Sequence, residues 1–245
     1  MAQGEERMTD QITTTTPRPT AARTRPRLSR DAQRRLLRVV YHAAGLFPLA
    51  WLIFDFWFGF LGPEPIRAMI LRSGKAAIIM LMLSLACTPA NIIFGWKQAV
   101  VVRRALGLYA FMYVCIHLLI FVWLDYGFML GLVVEEIIKR RYAVVGFAAF
   151  LLLIPLALTS TKNSQRQLGK RWITLHKSVY LIAVLAVIHY IWLVKNAYTQ
   201  PFIFAGIVAL LFFIRLTPVK QFLITTRRRI ENRRKIAKAR KIERA

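Results

Sequence analysis

Residues 169–192 read GKRWITLHKSVYLIAVLAVIHYIW, and this stretch decides how the whole chain is interpreted. At a rise of about 1.5 Å per residue it is long enough, and it is apolar enough, to cross a membrane as a helix. It nevertheless carries two histidines, His176 and His189, thirteen residues apart. Ionisable side chains are expensive inside a bilayer and usually mark a functional site there. The stretch therefore predicts a membrane-spanning helix in which the two histidines belong to a functional site.

The composition extends this prediction to the whole chain. Its 245 residues are 57% hydrophobic, with a mean hydropathy of +0.46, yet the net charge is +25. Apolar residues gather in blocks, and basic residues lie between the blocks and at both ends, which is typical of a polytopic membrane protein. Positive inner-face loops and tails account for the charge, so no nucleic-acid partner is expected. Cys87 and Cys115 lie inside apolar blocks and form no CxxC motif, which favours small buried side chains.

The apolar blocks predict an all-α fold, a bundle of six transmembrane helices. Their approximate limits are 39–61, 75–94, 105–124, 143–160, 173–194 and 201–217. A polar, Thr-, Pro- and Arg-rich segment precedes them and is interpreted as a disordered tail. The domain prediction has three parts: a disordered basic cytoplasmic tail at 1–37, a transmembrane domain at 38–218, and a basic cytoplasmic tail at 219–245.

The basic residues also predict the orientation in the membrane. If both termini are cytoplasmic, only seven of the 36 lysine and arginine residues fall on the opposite face, namely Arg67, Arg72, Lys75, Lys139, Arg140, Arg141 and Lys195. The positive-inside rule therefore predicts N-in and C-in. On the outer side, the apolar stretch before Lys139 is too short to span and predicts a short surface helix. Its Glu135 and Glu136 are expected to be a solvated face rather than a catalytic pair.

Four histidines fall within or at the edge of the predicted helices. A neutral imidazole is the usual nitrogen ligand of haem iron. The third and fifth blocks run in the same direction, and their helix starts put His117 and His189 within about 6 Å of the same height. Two imidazoles at one height on neighbouring helices can hold a porphyrin from both sides. We therefore predict that His117 and His189 are the axial ligands of a haem b in the outer half of the bundle.

The role of His176 is left open by the residues alone. It lies about 20 Å below His189 along an ideal helix, and the third block offers only Arg103 and Arg104 at that height. Arginine is a poor iron ligand but suits haem propionates or a flavin phosphate. His176 is therefore expected to bind a second haem with an unusual partner, to hydrogen-bond a quinone, or to contact a flavin. His42 is either that unusual partner or a polar residue at a helix interface.

Three segments together carry a family resemblance. They are LTSTKNSQRQLGKRWITLHKSVYLIAVLAVIHYIWLVK at 158–195, RRALGLYAFMYVCIHLL at 103–119 and YHAAGLFPLAWL at 41–52. Over roughly residues 38 to 220 the chain resembles the MsrQ (YedZ) family, the haem-binding membrane subunits of the bacterial periplasmic methionine sulfoxide reductase system. More distantly it is similar to ferric reductases and NADPH oxidases, which share a six-helix haem core.

The resemblance implies a multi-pass cytochrome b of the bacterial inner membrane. Such a subunit takes electrons from membrane quinol and passes them to a periplasmic molybdopterin enzyme, which reduces methionine sulfoxide in oxidised proteins. The haem-linked histidines of the family match His117, His176 and His189. The family is also associated with FMN, although no flavin motif is legible in the sequence. One haem b or two are compatible with the pattern.

The residues also separate the chain from its wider relatives. Ferric reductases and oxidases carry two histidines on the third helix and a large FAD/NAD(P)H domain, whereas here that helix has only His117, and no GxGxxG motif occurs. We therefore expect electrons to come from a quinol or a separate flavin reductase. Two alternatives stay open: a stand-alone ferric reductase-like cytochrome b that reduces ferric iron or oxygen, and a scaffold or transporter with a histidine proton path.

Overall fold

The computed structural model describes residues 30–194 and 199–243, and every regular element in these ranges is a helix. A π-helical turn, Ile120–Asp125, extends the third helix. The helices are α1 (Arg30–Trp57), α2 (Pro65–Phe94), α3 (Lys97–Leu119), α4 (Leu130–Lys139), α5 (Arg141–Leu158), α6 (Lys162–Leu168), α7 (Lys170–Lys177), α8 (Val179–Leu193), α9 (Thr199–Phe213) and α10 (Thr217–Glu243).

Five stretches of helix are long and apolar enough to cross a membrane: Arg35–Trp57, Pro65–Phe94, Gln98–Asp125, Arg141–Leu158 and Lys170–Leu193. A sixth candidate consists of α9 and the first part of α10, which are bent by 73° at the break between them. The predicted all-helical, membrane-spanning architecture is thereby confirmed, with five spans or six. The α4 helix stands where the short surface helix was predicted.

The start of the second helix differs from the prediction. The second apolar block was predicted to begin at residue 75, but α2 begins at Pro65. Proline at the first helical position has its φ already set for a helix, and its missing N–H is not needed there. The polar residues that follow, including Arg67 and Arg72, simply form the exposed first turns of the same helix. Gly74 therefore lies inside α2 and not in a loop.

The two predicted tails are only partly covered. Residues 1–29 of the N-terminal tail lie outside the described residues, and α1 already begins at Arg30. The C-terminal basic segment forms α10, which is docked on the bundle through Arg227. The Arg227 Nη1 donates to the carbonyl oxygens of Asn91 (2.8 Å) and Ile92 (3.1 Å). These carbonyls lie in the last turn of α2, where a cation is favoured by the helix dipole.

The core of the bundle consists of two helix pairs. The α2 helix packs mainly against α3, and α5 packs mainly against α8. Small and branched side chains fill the space between the pairs, among them Ala110, Ala149, Leu153 and Ala183, all buried. Large apolar side chains such as Trp57 and Phe94 are exposed on the outside. An apolar exterior around a packed interior is what a lipid-facing bundle requires.

A buried tyrosine fixes α1 to α3. Pro48 lies inside α1, between two residues whose backbone groups bind the Tyr113 hydroxyl. The Tyr113 hydroxyl accepts from the Leu49 N–H (3.0 Å) and donates to the Gly45 carbonyl (2.7 Å). A side chain inserted into the helix ladder next to a proline is a common cause of a kink. The exposed fraction of Tyr113 is only 1%, so this contact anchors α1 to the core.

Candidate haem-binding site

The structure brings His117 and His189 together. His117 lies near the end of α3 and His189 on α8, and their ring centroids are 6.3 Å apart with an interplanar angle of 89°. This is the proximity that their matched heights on parallel spans predicted. The two rings meet at the contact between the α2–α3 pair and the α5–α8 pair.

Both imidazoles are held in the same way by a backbone carbonyl. The Nδ1 of His117 lies 2.9 Å from the carbonyl oxygen of Ile70, and the Nδ1 of His189 lies 2.7 Å from that of Tyr142. A carbonyl can only accept, so each Nδ1 carries a proton and donates it. In a neutral imidazole this leaves the Nε2 lone pair available. A second-shell bond of this kind fixes the ring and the tautomer of a metal-binding histidine.

A glycine makes room for each ring. A Cβ at Gly74 would lie 3.1 Å from the Nδ1 of His117, and one at Gly146 would lie 2.5 Å from the Nδ1 of His189. Each glycine stands four residues after the carbonyl that accepts from the imidazole. The α2–α3 pair and the α5–α8 pair therefore share one arrangement. In each, the histidine donates to a carbonyl 47 residues before it, and a glycine stands four residues after that carbonyl. Sequence inspection found neither this repeat nor these glycines, although the equal spacing was visible.

The spacing of the two rings suits one metal atom between them. A metal–imidazole nitrogen bond is about 2 Å, and the ring centre lies roughly 1 Å further, so two rings on opposite sides of a metal have centroids about 6 Å apart. The observed 6.3 Å fits that arrangement. Within the described ranges there is no group of three or more His, Cys, Asp or Glu side chains that could hold a bare ion. Two imidazoles suffice when a porphyrin supplies the other four nitrogen atoms, so this donor set fits haem.

His176 has different surroundings. It lies on α7, beyond a break in the helix at Ser178, and its ring stacks on Trp172 with centroids 4.0 Å apart. Its Nε2 lies 3.1 Å from the Thr159 hydroxyl, which itself donates to the Pro155 carbonyl at 2.6 Å. With its proton used there, the hydroxyl can only accept from His176. The Nε2 of His176 is therefore a donor in this arrangement, not a free ligand.

The two predicted arginines are placed differently from each other. Arg103 is partly buried, and its Nη1 donates to the Thr88 hydroxyl (3.3 Å) while its own carbonyl accepts from Ser84 (2.9 Å). It also lies close enough to His176 for its charge to act on that imidazole. Arg104 is exposed on α3, and nothing in the described part of the chain pairs with it. Of the two, the structure brings only Arg103 to His176.

His42 does not meet His176. Its Nδ1 lies 2.7 Å from the Tyr109 hydroxyl, and its ring is exposed on α1. Of the two roles that the sequence left open, the structure favours the polar residue at a helix interface. Gly45, one turn further along α1, lets the Tyr109 ring pack directly against the backbone.

Two charged residues inside the apolar blocks gained partners that sequence inspection did not predict. Asp55 on α1 has an exposed fraction of only 5% and forms an ion pair with Arg72 on α2. Arg215, between α9 and α10, donates to the Leu85 carbonyl and lies over the Tyr180 ring. The presence of a carboxylate and a guanidinium in otherwise apolar segments could have indicated that each has a polar partner.

Of the acidic pair on α4, Glu135 is exposed and Glu136 is partly buried. Glu135 and Glu136 form ion pairs one helical turn along with Lys139 and Arg140. The hydrogen bond from Lys139 lowers the pKa of Glu135 below its ordinary value. A fully exposed carboxylate with a lowered pKa stays ionised at neutral pH and is not poised for proton transfer.

Known proteins resemble this chain over most of its length. The family "Ferric reductase like transmembrane component" matches residues 73–187. A protein of Rhodospirillum rubrum is 48% identical over 185 residues, which are 75% of this chain and 89% of that protein. One of Xanthomonas campestris pv. campestris strain 8004 is 42% identical over 71% of this chain and 83% of its own length. One of Herminiimonas arsenicoxydans is 39% identical over 74% and 84%.

All three relatives bear the name protein-methionine-sulfoxide reductase heme-binding subunit MsrQ. No solved structure matches the chain significantly. The matched family is a transmembrane component, and the spans of this chain are arranged accordingly, so the chain is a multi-pass membrane protein. Identity of this level over more than four-fifths of each relative leaves one assignment: the chain belongs to the MsrQ family of heme-binding subunits of protein-methionine-sulfoxide reductase.

Proposed function

We propose that this chain is a haem b-binding electron-transfer subunit of a protein-methionine-sulfoxide reductase. The observation that carries the proposal is the pair His117 and His189, whose rings lie 6.3 Å apart with both Nδ1 atoms bound to carbonyls. In this proposal the two Nε2 atoms would hold the haem iron. Haem b supplies one-electron chemistry at iron, with a potential that ligands and surroundings tune. The Ile70 and Tyr142 carbonyls keep both rings in the tautomer that binds metal.

The positive-inside rule supports the orientation. Arg103, Arg104, the α6 segment and α10 belong to the cytoplasmic side, and α4 to the periplasmic side of the inner membrane. His117 and His189 then lie in the periplasmic half. Electrons leave there to a periplasmic molybdopterin enzyme that reduces methionine sulfoxide in oxidised proteins. A membrane quinol or a separate flavin reductase supplies them from the other side.

The inner level of the bundle is proposed as the place where electrons enter. His176, Arg103 and Arg104 belong to this level by position, and its polar groups suit a quinone or the phosphate of FMN. The stacked pair of Trp172 and His176 offers a flat surface next to these groups. A second haem there would need the Nε2 of His176 to leave Thr159. One haem, on His117 and His189, is therefore the stoichiometry we favour.

The proposal is tested with the purified full chain and with its partner. We expect a low-spin haem b spectrum and one haem per polypeptide. In proteoliposomes that also hold the periplasmic enzyme, quinol or a flavin reductase should drive methionine sulfoxide reduction. The chain alone should neither oxidise NADH nor reduce methionine sulfoxide. Absence of bound haem would overturn the proposal, as would NADH oxidation by the isolated chain.

A second candidate function is a stand-alone reductase of ferric iron or oxygen. It is favoured by the match of residues 73–187 to the ferric reductase-like transmembrane component. The two functions differ in their electron acceptor. Reduction of ferric chelates or oxygen by quinol-fed proteoliposomes, at the same rate with and without the periplasmic enzyme, would select the second.

A further inference from the structure

Arg215 reaches into the bundle from the bend between α9 and α10. Its Nη2 donates to the carbonyl of Leu85 in α2 at 2.5 Å. In a regular helix that carbonyl would accept from the N–H of residue 89, but residue 89 is a proline and has none. Pro89 therefore leaves an acceptor that Arg215 takes up. The guanidinium also lies 5.0 Å from the centre of the Tyr180 ring, so its position is fixed from two sides.

Apart from Leu85 and the Tyr180 side chain, the Arg215 guanidinium has no partner in the described residues. Its Nε and Nη1 are buried, and neither has a hydrogen-bond acceptor in the described part of the protein. Buried donors without acceptors are costly, and more so on a charged group. Native structures satisfy such groups with protein, water or a ligand. The Nε and Nη1 donors of this fixed guanidinium therefore point to an acceptor that comes from outside the chain.

Arg103 adds a second positive charge to the same place. It contacts Ser84 and Thr88 on either side of Leu85 along α2, and its charge acts on Arg215. The carboxylates that form ion pairs in the described residues do so with other partners, as in Asp55–Arg72 and Glu231–Arg227. None of those ion pairs involves Arg103 or Arg215. The two guanidinium groups thus lack a counter-ion from the described chain.

We infer that Arg103 and Arg215 form a binding site for a phosphate group at the end of the bundle that carries α10. Phosphate oxygens accept strong, charge-assisted hydrogen bonds from guanidinium groups, and the Nε and Nη1 of Arg215 are donors without an acceptor. The phosphate belongs either to a phospholipid headgroup or to a flavin nucleotide. The second source deepens the proposed function and rests on it, whereas the first stands without it. His176 and its stacked Trp172 lie beside Arg103 and would flank the bound group.

The test uses the full-length protein purified in a maltoside detergent, which contains no phosphate. Titrations with FMN, riboflavin, short-chain phosphatidylglycerol and short-chain diacylglycerol separate the sources, since riboflavin and diacylglycerol lack the phosphate. We expect FMN or phosphatidylglycerol to bind at least about tenfold more tightly than its phosphate-free counterpart. Equal affinity within both pairs of ligands would overturn the site.

Variants assign the binding to the two arginines. Arg103→Gln and Arg215→Gln should each weaken the phosphate ligand about tenfold or more, and Arg215→Lys, which can still donate to Leu85, should weaken it less than Arg215→Gln. Arg229→Gln, an exposed arginine on α10, is the matched control and should bind like the wild type. If Arg229→Gln weakened phosphate binding equally, the binding would depend only on the overall positive charge, and the proposed site would be refuted. The haem spectrum of each variant reports folding and tests the haem assignment separately.

Discussion

His189 and His176 lie thirteen residues apart on one span, yet their surroundings differ completely. His189 is bound at Nδ1 by the Tyr142 carbonyl, has Gly146 behind it and has another histidine in front of it. His176 is bound at Nε2 by Thr159 and stacked on Trp172. The first ring has the coordinating nitrogen free, and the second has it occupied. We propose that a haem ligand and a packed polar histidine differ here in which ring nitrogen the protein itself binds.

The repeat in the fold sharpens this contrast. Arg104 stands thirteen residues before His117, as His176 stands thirteen residues before His189. At one level of the bundle both halves of the repeat place a histidine, and the two ring centroids lie 6.3 Å apart. At the other level an exposed arginine replaces one histidine, and the remaining one turns to Thr159. The two levels therefore have the same residue spacing but different chemistry.

The largest effect is expected from loss of either paired histidine. His117→Ala and His189→Ala should each lose most of the haem b, because iron with one axial ligand removed is held weakly or changes its spin state. Haem per polypeptide and the low-spin spectrum measure this. His42→Ala, which removes an exposed imidazole bound only to Tyr109, is the control and should keep the wild-type haem content. Wild-type haem spectra in both single variants would show that His117 and His189 do not hold the haem together.

An intermediate effect is expected from the glycines behind the rings. Gly146→Ala should weaken haem binding by about 10- to 100-fold, the usual cost of disturbing the bond that orients a metal-binding histidine. Gly74→Ala should cost less, because its Cβ would approach the imidazole of His117 to 3.1 Å rather than 2.5 Å. Gly206→Ala in α9, where an added Cβ meets open space, is the matched control. If all three variants bound haem alike, the rings would not depend on these glycines.

The smallest effect on haem is expected at the other level. His176→Ala should keep the haem on His117 and His189, because its Nε2 serves Thr159 and not a metal. It should slow reduction of that haem by quinol or a flavin reductase, which stopped-flow spectroscopy measures. A stoichiometric loss of all haem in this variant would show that His176 is a ligand and that the contrast between the levels is wrong.

Much of the fold was predictable from local sequence. Blocks of apolar residues about 20 long predict membrane spans, because every backbone group inside a bilayer must be bonded within its own helix. The predicted start of the second span, residue 75, was wrong, because α2 begins at Pro65. The prediction for the C-terminal segment was incomplete. Its polar sequence does not indicate that α10 docks on the bundle, which depends on the contact between Arg227 and the end of α2.

The candidate site, too, has one part that was predictable from the sequence and one part that was not. Helix starts and a constant rise per residue determined that His117 and His189 lie at similar heights, since height along a straight helix is a local quantity. Rotation about the helix axis and the choice of neighbour are not local. Only the packing of α2 on α3 and of α5 on α8 decided that Ile70 and Tyr142 accept from the two imidazoles and that Thr159 engages His176. Likewise, Arg215 appears in the sequence only as a basic residue near the end of the last apolar block. Its place beside Arg103 follows from a carbonyl that Pro89 leaves free 130 residues earlier in the chain, and only the tertiary structure brings the two together.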